Sequence, residues 1–377
     1  MTFDSTPFDG ADMTRLRMAV IGVGHLGQHH ARILASQPDV ELVGVVDANP
    51  DQAQIIAARL GTTAYDRHEP LVGRVDAVSV VTPTIYHHGV ASDFLRAGVP
   101  VLVEKPVCRT VAEADELIAL AAEAGVPLQV GHIERFNPAF EELVKRPIRP
   151  KFVEAERHGP FTGRSIDIGA VLDLMIHDLD LLLSLVGSRV ARVSAVGAAV
   201  FGGYEDMVNA RLEFENGCIA HVTASRITRA PKRRLRVWAP EGYAGIDFVT
   251  RKLTLVQQSE ELREYGLRAE QMDVAAKARL KDEVFGRYLQ VLNLDADRKF
   301  DQLTAELRHF IDCVRTGNTP RVSGEAGRDA LELAERVLSA LREHAWEGSA
   351  EGPHGARPPA PAGWLFPPVR VAPSKAA

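Results

Sequence analysis

The sequence predicts an α/β protein in two halves: a doubly wound parallel sheet, then an α/β domain with a large, mostly antiparallel open sheet. Three observations carry this. From Arg15 to Gly131 short apolar runs alternate with helical stretches. The first run leads into a glycine-rich turn. After the helical stretch Val171–Val186, strand-like runs follow one another directly.

In the first half, Leu16–Ile21, Glu41–Val46, Ala77–Val81, Val99–Val103 and Leu128–Val130 read as strands. They are rich in Val and Ile and do not alternate with polar residues, the pattern of strands buried on both faces. The stretch to Ser36, Gln52–Leu60, Gly89–Arg96 and Val111–Ala124 read as the covering helices. In the second half the strand-like runs are Val190–Val200, Met207–Phe214, Cys218–Ser225, Leu235–Ala239 and Ala244–Val249. Asn216-Gly217, between two of them, is a strong hairpin signal. Glu260–Arg298 is charged and reads as helical pieces on an excursion, and Thr304–Val314 and Ala326–Glu343 read as amphipathic helices. The expected division is a disordered N-terminus (1–14), a first domain (15–133), a second domain (134–347) and a disordered or wrapping tail (348–377). The tail has seven prolines in thirty residues, too many for a packed element. Trp364-Leu365-Phe366 is its one candidate docking segment.

The 377 residues carry a formal net charge of −6, which argues against a nucleic-acid-binding footprint. Cys108, Cys218 and Cys313 lie far apart, so neither a disulfide framework nor a cysteine-rich metal site is expected. Reduced thiols, the absence of a basic and apolar leader, and the lack of a long apolar run together predict a cytoplasmic protein without a membrane partner.

Gly22-Val23-Gly24-His25-Leu26-Gly27 is a GxGxxG turn that follows a strand and opens a helix. Asp47 ends the next strand, twenty positions after Gly27. In that context the motif signals dinucleotide binding. Gly22 permits the turn, Gly24 lets a pyrophosphate approach the backbone, and Gly27 allows close helix–strand packing. The free N–H groups of the helix start attract the anion. Asp47 suits the ribose hydroxyls and repels a 2′-phosphate, and Ala48-Asn49-Pro50 bring no arginine, so NAD is expected rather than NADP.

Glu104-Lys105-Pro106 directly follows a core strand, at the end where doubly wound sheets bind ligands. Pro106 restricts Lys105 to extended backbone. In Asp173-Leu174-Met175-Ile176-His177-Asp178-Leu179-Asp180, Asp173 and His177 are i,i+4 neighbours, and Asp180 continues that face. A histidine oriented by a carboxylate suits general acid–base work. Metal ligation is the weaker alternative, because no Cys/His cluster supports it, and no metal is expected.

GVGHLGQHHA, Thr82-Pro83-Thr84-Ile85-Tyr86-His87-His88, Val101–Pro106 and Leu172–Asp180, in this order, resemble the Gfo/Idh/MocA oxidoreductases from about Leu16 to about Arg342. The resemblance implies a Rossmann domain, a second domain with an open sheet, and NAD(P)-linked hydride transfer at a sugar or cyclitol carbinol. It implies that Lys105, Asp173 and His177 are catalytic. It also implies that Thr82, Pro83, His87 and Glu104, with His25 and Leu26 of the glycine turn, border the cofactor. By the same analogy the open sheet suggests a homodimer or homotetramer.

Gly131-His132-Ile133-Glu134-Arg135-Phe136-Asn137-Pro138 resembles the branch of that family that oxidises UDP-N-acetylhexosamines, UDP-N-acetylglucosamine 3-dehydrogenases among them. Glu134, Arg135 and Asn137 are then candidates for binding the sugar, and an interdomain hinge with a structural Arg–Glu pair is the alternative. Cations for a UDP group could come from Arg157–Ser165, read as a flexible loop, with Arg164 the candidate, or from Arg229, Lys232, Arg233, Arg234 and Arg236, for which a solvated sheet rim is the favoured alternative. Three functions stay open: a sugar-nucleotide dehydrogenase, a dehydrogenase of a free sugar or inositol, and a non-catalytic NAD-sensing regulator. For the first two, His177 is the first choice of base and Lys105 the alternative.

Overall fold

In the computed structural model, which describes residues 15–161, 168–201, 204–295 and 301–344, the first half forms one six-stranded sheet. Its strands are β1 (Leu16–Ile21), β2 (Val40–Val46), β3 (Thr63–Tyr65), β4 (Ala77–Val80), β5 (Val101–Glu104) and β6 (Leu128–Gly131). They lie in the order β3-β2-β1-β4-β5-β6, and every pairing is parallel. Each residue of β4, β5 and β6 is buried, as helices on both faces require. The strand order reverses between β1 and β4, which opens a crevice at their C-terminal ends. Local chemistry ends the helices sharply. Asn49 caps Pro50–Leu60 and Gly61 closes it in the left-handed conformation, while Thr110 and Gly125 do the same for Val111–Ala124.

The second sheet has eight strands: β7 (Phe152–His158), β8 (Val190–Ala198), β9 (Met207–Phe214), β10 (Ile219–Ser225), β11 (Lys232–Ala239), β12 (Gly242–Asp247), β13 (Lys252–Gln258) and β14 (Leu289–Asp295). The order is β14-β13-β12-β11-β7-β10-β9-β8, antiparallel except for the pair β7–β10. Asn216-Gly217 does turn β9 into β10, with Gly217 at φ +80°. Strands β7 and β9 alternate strictly between buried and half-buried residues, and β10 does so up to Ala224. One face packs on helix Ile176–Val186 and its neighbours, and the other stays open.

Strands β3, β7 and β13 are additional to those read from the sequence, and three further features differ from that reading. The span Glu260–Arg298 holds two helices, Glu260–Tyr265 and Val274–Glu283, but also the edge strand β14. That strand is mostly exposed and pairs with β13 at the edge of the sheet, so its short alternation is inconspicuous among charged residues. Helix Gln302–Thr316 belongs by packing to the first domain, since Leu303, Leu307, Phe310 and Ile311 share a core with Met18, Val20 and Ile33. A boundary at 133/134 therefore does not divide the cores cleanly. Helix Gly324–Glu343 joins the halves, with Leu331 in the first core and Leu333, Val337 and Leu341 in the second. The residues before Arg15, Arg164 and the Trp364–Phe366 segment lie outside the described residues.

Candidate active site

The glycine turn has the shape its sequence demands. Gly22 sits at φ +90°, and a Cβ there would come within 2.7 Å of the Val81 carbonyl oxygen. A Cβ on Gly27 would meet the Gly22 carbonyl oxygen at 1.9 Å, so only glycine lets helix Gly27–Ser36 pack this closely. A Cβ on Gly24 would meet nothing within 4 Å. Gly24 is thus the exposed backbone approach, and His25 and Leu26 beside it are exposed at the mouth of the cleft. Asp47 braces the turn, accepting hydrogen bonds from the Val23 N–H at 3.0 Å and the Asn49 N–H at 2.9 Å. These residues fit a dinucleotide held at a helix start.

A cleft of about 600 Å³ runs from this turn to the second sheet. Its first wall holds His25, Leu26, Thr82, Pro83, Glu104 and Lys105, and its second holds Asp173, His177, Arg157, Arg226 and Arg233. The separate motifs Gly22–Gly27, Thr82-Pro83, Glu104-Lys105 and Asp173–His177 therefore converge on one cavity. Lys105 donates from Nζ to the Asp173 backbone carbonyl at 2.7 Å, and its Nζ lies 3.6 Å from the Asp173 carboxylate. Burial pushes the Lys105 ammonium below its ordinary pKa, and Asp173 and Glu104 oppose that.

His177 differs from expectation in its partner. Residues Val171–Met175 form a π-helical turn before helix Ile176–Val186, and Asp173 lies on that turn. Its carboxylate faces Lys105, while His177 Nδ1 is buried with no hydrogen-bond partner among the described residues. Burial, reinforced by Lys105, Arg157, His132 and Arg233, holds the His177 imidazole neutral, well below its ordinary pKa.

His87 and Glu104 brace the site from behind. The His87 ring is buried, its nitrogens 2.9 Å from the Pro106 carbonyl oxygen and 2.8 Å from that of Thr82, so it ties together the loops after β4 and β5. Glu104 accepts from the Lys105 N–H at 3.2 Å and approaches His30 Nε2 at 3.2 Å. A Cβ on Gly131 would strike its carboxyl group.

The candidates for binding the sugar are placed otherwise. Glu134 is buried against Arg157 at 2.9 Å, and Asn137 donates to Glu134 at 3.3 Å while capping helix Pro138–Val144. Arg135 faces buried Asp180 at 3.5 Å and donates to the Arg321 carbonyl oxygen. None of the three is among the described residues that line the cleft, and their side chains pair with Arg157, Asp180 and one another. Asp180 likewise turns away from His177, and burial lifts its carboxyl pKa to about 7 against the pull of Arg135. Arg157 closes strand β7 instead of lying in a loop, and binds Asp178 through two hydrogen bonds of 2.9 and 2.8 Å.

Sequence reasoning passed over His132 and His30. His132 is the first residue beyond β6, and its buried ring stands edge-on to His177 with centroids 6.1 Å apart. Burial pushes its pKa down to about 3. The rule that ligands bind beyond C-terminal strand ends points to this position. His30 hydrogen-bonds Ser79 at 2.9 Å, and nothing in the motif marks it.

Comparison with known proteins agrees with this architecture. Residues 16–132 match the model of an oxidoreductase family with an NAD-binding Rossmann fold, and residues 147–244 match the GFO/IDH/MocA C-terminal domain. The chain is 37% identical over 332 residues to UDP-N-acetylglucosamine 3-dehydrogenase of Acidithiobacillus ferrooxidans, covering 87% of this chain and 98% of that protein. The solved structure of that enzyme superposes with a TM-score of 0.77. Scyllo-inositol 2-dehydrogenase (NAD(+)) of Bacillus subtilis is 29% identical over 348 residues, covering 87% of this chain and 94% of that one. The cofactor is NAD, and by its glycine turn, its second domain and these relatives the chain belongs to the Gfo/Idh/MocA family of oxidoreductases.

Proposed function

We propose that the protein oxidises a secondary hydroxyl of a nucleotide-activated amino sugar, taking UDP-N-acetylglucosamine to its 3-keto form. The observation that carries this is the convergence of Lys105, Asp173 and His177 on one cleft beside the glycine turn, in a chain 37% identical to a UDP-N-acetylglucosamine 3-dehydrogenase.

NAD, when bound, supplies the hydride acceptor. The protein must remove the hydroxyl proton and hold the carbinol still. Lys105 suits the first task. Its neutral amine accepts the proton, and the ammonium so formed lies 3.6 Å from the Asp173 carboxylate, which stabilises it. His177 is buried with Lys105, Arg157 and Arg233 nearby, so it holds a proton poorly. Its ring instead hydrogen-bonds the hydroxyl and orients it. This assignment reverses the order of preference drawn from the motif. Glu104 and His87 support Lys105 by bracing the loop on which it sits.

The test is turnover of the purified protein with NAD and UDP-N-acetylglucosamine, free N-acetylglucosamine or inositol, followed by the absorbance of reduced nicotinamide. Turnover of the UDP sugar alone is expected. Equal turnover of the free sugar or of inositol would replace this reading with the inositol-type one, which the 29% identical scyllo-inositol dehydrogenase favours. No turnover of any of them would favour the NAD-sensing regulator. Asp47→Ala should raise KM for NAD and relieve the exclusion of NADP.

We also propose a cytoplasmic homodimer or homotetramer. The free, buried cysteines support the compartment. The open face of the second sheet, with Phe152, Trp238 and Tyr243 in contact across it, supports the assembly. Sedimentation of the full chain tests the assembly.

A further inference from the structure

We propose that Arg233 is the cation that receives the diphosphate of the sugar nucleotide, an inference that rests on the reading above. The argument begins with strand period. Strand β11 starts Lys232-Arg233-Arg234-Leu235-Arg236, and alternation splits these residues between two faces. Lys232, Arg234 and Arg236 lie on the open face, and each meets a carboxylate there: Glu156 at 2.8 Å, Asp247 at 3.3 Å and Glu154 at 2.8 Å. Those charges are spent within the sheet.

Arg233 shares the opposite face with buried Leu235 and Val237. It is the second residue of the strand and lines the cleft. Its register partner is Arg157 on β7. The remaining cations of the cleft wall are all engaged. Arg157 is held by Asp178 and Glu134. Arg226 binds Asp206 at 2.6 Å and the Ile168 carbonyl oxygen at 2.9 Å. Lys105 belongs to Asp173. Among the described residues that line the cleft, Arg233 is the cation whose side chain has no salt-bridge or hydrogen-bonding partner, although its charge reaches buried Asp178, and it is exposed. It is nevertheless close enough to His177 to depress that ring electrostatically.

An unpaired guanidinium facing a cleft is a ready bidentate site for a phosphate. The phosphates of the cofactor have their own site at the glycine turn and helix start on the first wall. Arg233 stands on the second wall, with Asp173 and His177, and can meet a second diphosphate when the sugar faces Lys105 and His177. Arg233 would thus separate a sugar nucleotide from a free sugar, which brings no anion to that wall.

The experiment compares wild type, Arg233→Gln and Arg233→Lys, with UDP as a competitive probe. Wild type should bind UDP competitively with UDP-N-acetylglucosamine. Arg233→Gln should raise KM for the UDP sugar and Ki for UDP by about tenfold or more, the loss of one charge-assisted contact. KM for NAD and melting temperature should stay near wild type, because no described group is hydrogen-bonded or salt-bridged to this side chain, and kcat should change less than KM and Ki, since Arg233 reaches His177 only through its charge. Arg233→Lys should recover part of the loss, since it keeps the charge without the fork. Wild-type turnover of the UDP sugar with unchanged KM and Ki in Arg233→Gln overturns the role of Arg233 alone. Failure of wild type to bind UDP or turn over the UDP sugar overturns the substrate reading, and this inference with it.

Discussion

If Lys105 accepts the hydroxyl proton, Asp173→Asn must move the acidic limb of the pH–rate profile in a direction the structure dictates. Burial drives the Lys105 pKa down, and Asp173 opposes that from 3.6 Å. Removing the carboxylate charge removes the opposing force. The neutral amine then persists to lower pH, so the limb of kcat/KM that rises with pH shifts toward acid. The Coulomb attraction of a pair about 4 Å apart is about 1 kcal/mol in water and about 4 kcal/mol at an effective dielectric of 20. Both side chains are partly exposed, 16% and 27%, which argues for the lower part of that range. Even about 1 kcal/mol is roughly a fivefold change in proton affinity, resolvable in a profile. The assay is kcat/KM for the UDP sugar against pH in wild type, Asp173→Asn, His177→Ala and Lys105→Ala, with NAD saturating. Lys105→Ala should lose about 10²–10⁴-fold in kcat and lose the limb. His177→Ala should lose rate but keep the limb. A limb that vanishes in His177→Ala and stays in place in Asp173→Asn would falsify the assignment and return the base to His177.

Two further predictions separate binding from folding. Gly24→Ala meets no neighbour within 4 Å, so it should melt near wild type yet raise KM for NAD, whereas Gly27→Ala must displace the Gly22 carbonyl and should lose stability as well. Thermal melts beside NAD titrations distinguish the two, and an unchanged KM in Gly24→Ala would remove the cofactor from this turn. Arg157→Ala strands Asp178 and Glu134 as buried, unpaired acids and should cost about 3–5 kcal/mol, read by denaturant unfolding. A stable variant with only a raised substrate KM would make Arg157 a substrate ligand.

Much of this protein is determined locally. The buried, non-alternating Val/Ile runs specify a parallel sheet because no polar face is available to meet water. The glycine spacing specifies the nucleotide turn because each position answers to a steric limit in a few consecutive residues. Asn216-Gly217 specifies a hairpin through backbone conformation alone. Tertiary structure decided what depends on partners distant in sequence. Asp173 and His177 are four apart, yet the π-helical turn and the position of Lys105, 68 residues earlier, give the carboxylate to the lysine. Glu134, Arg135 and Asn137 read as ligands because polar residues at a domain junction have no partners in a linear reading, and Arg157 and Asp180 supply them only in the folded chain. The same holds for the basic run on β11. Its four cations look equivalent in sequence, and only the carboxylates of neighbouring strands distinguish them, pairing the other three and leaving Arg233 at the cleft without a salt bridge among the described residues.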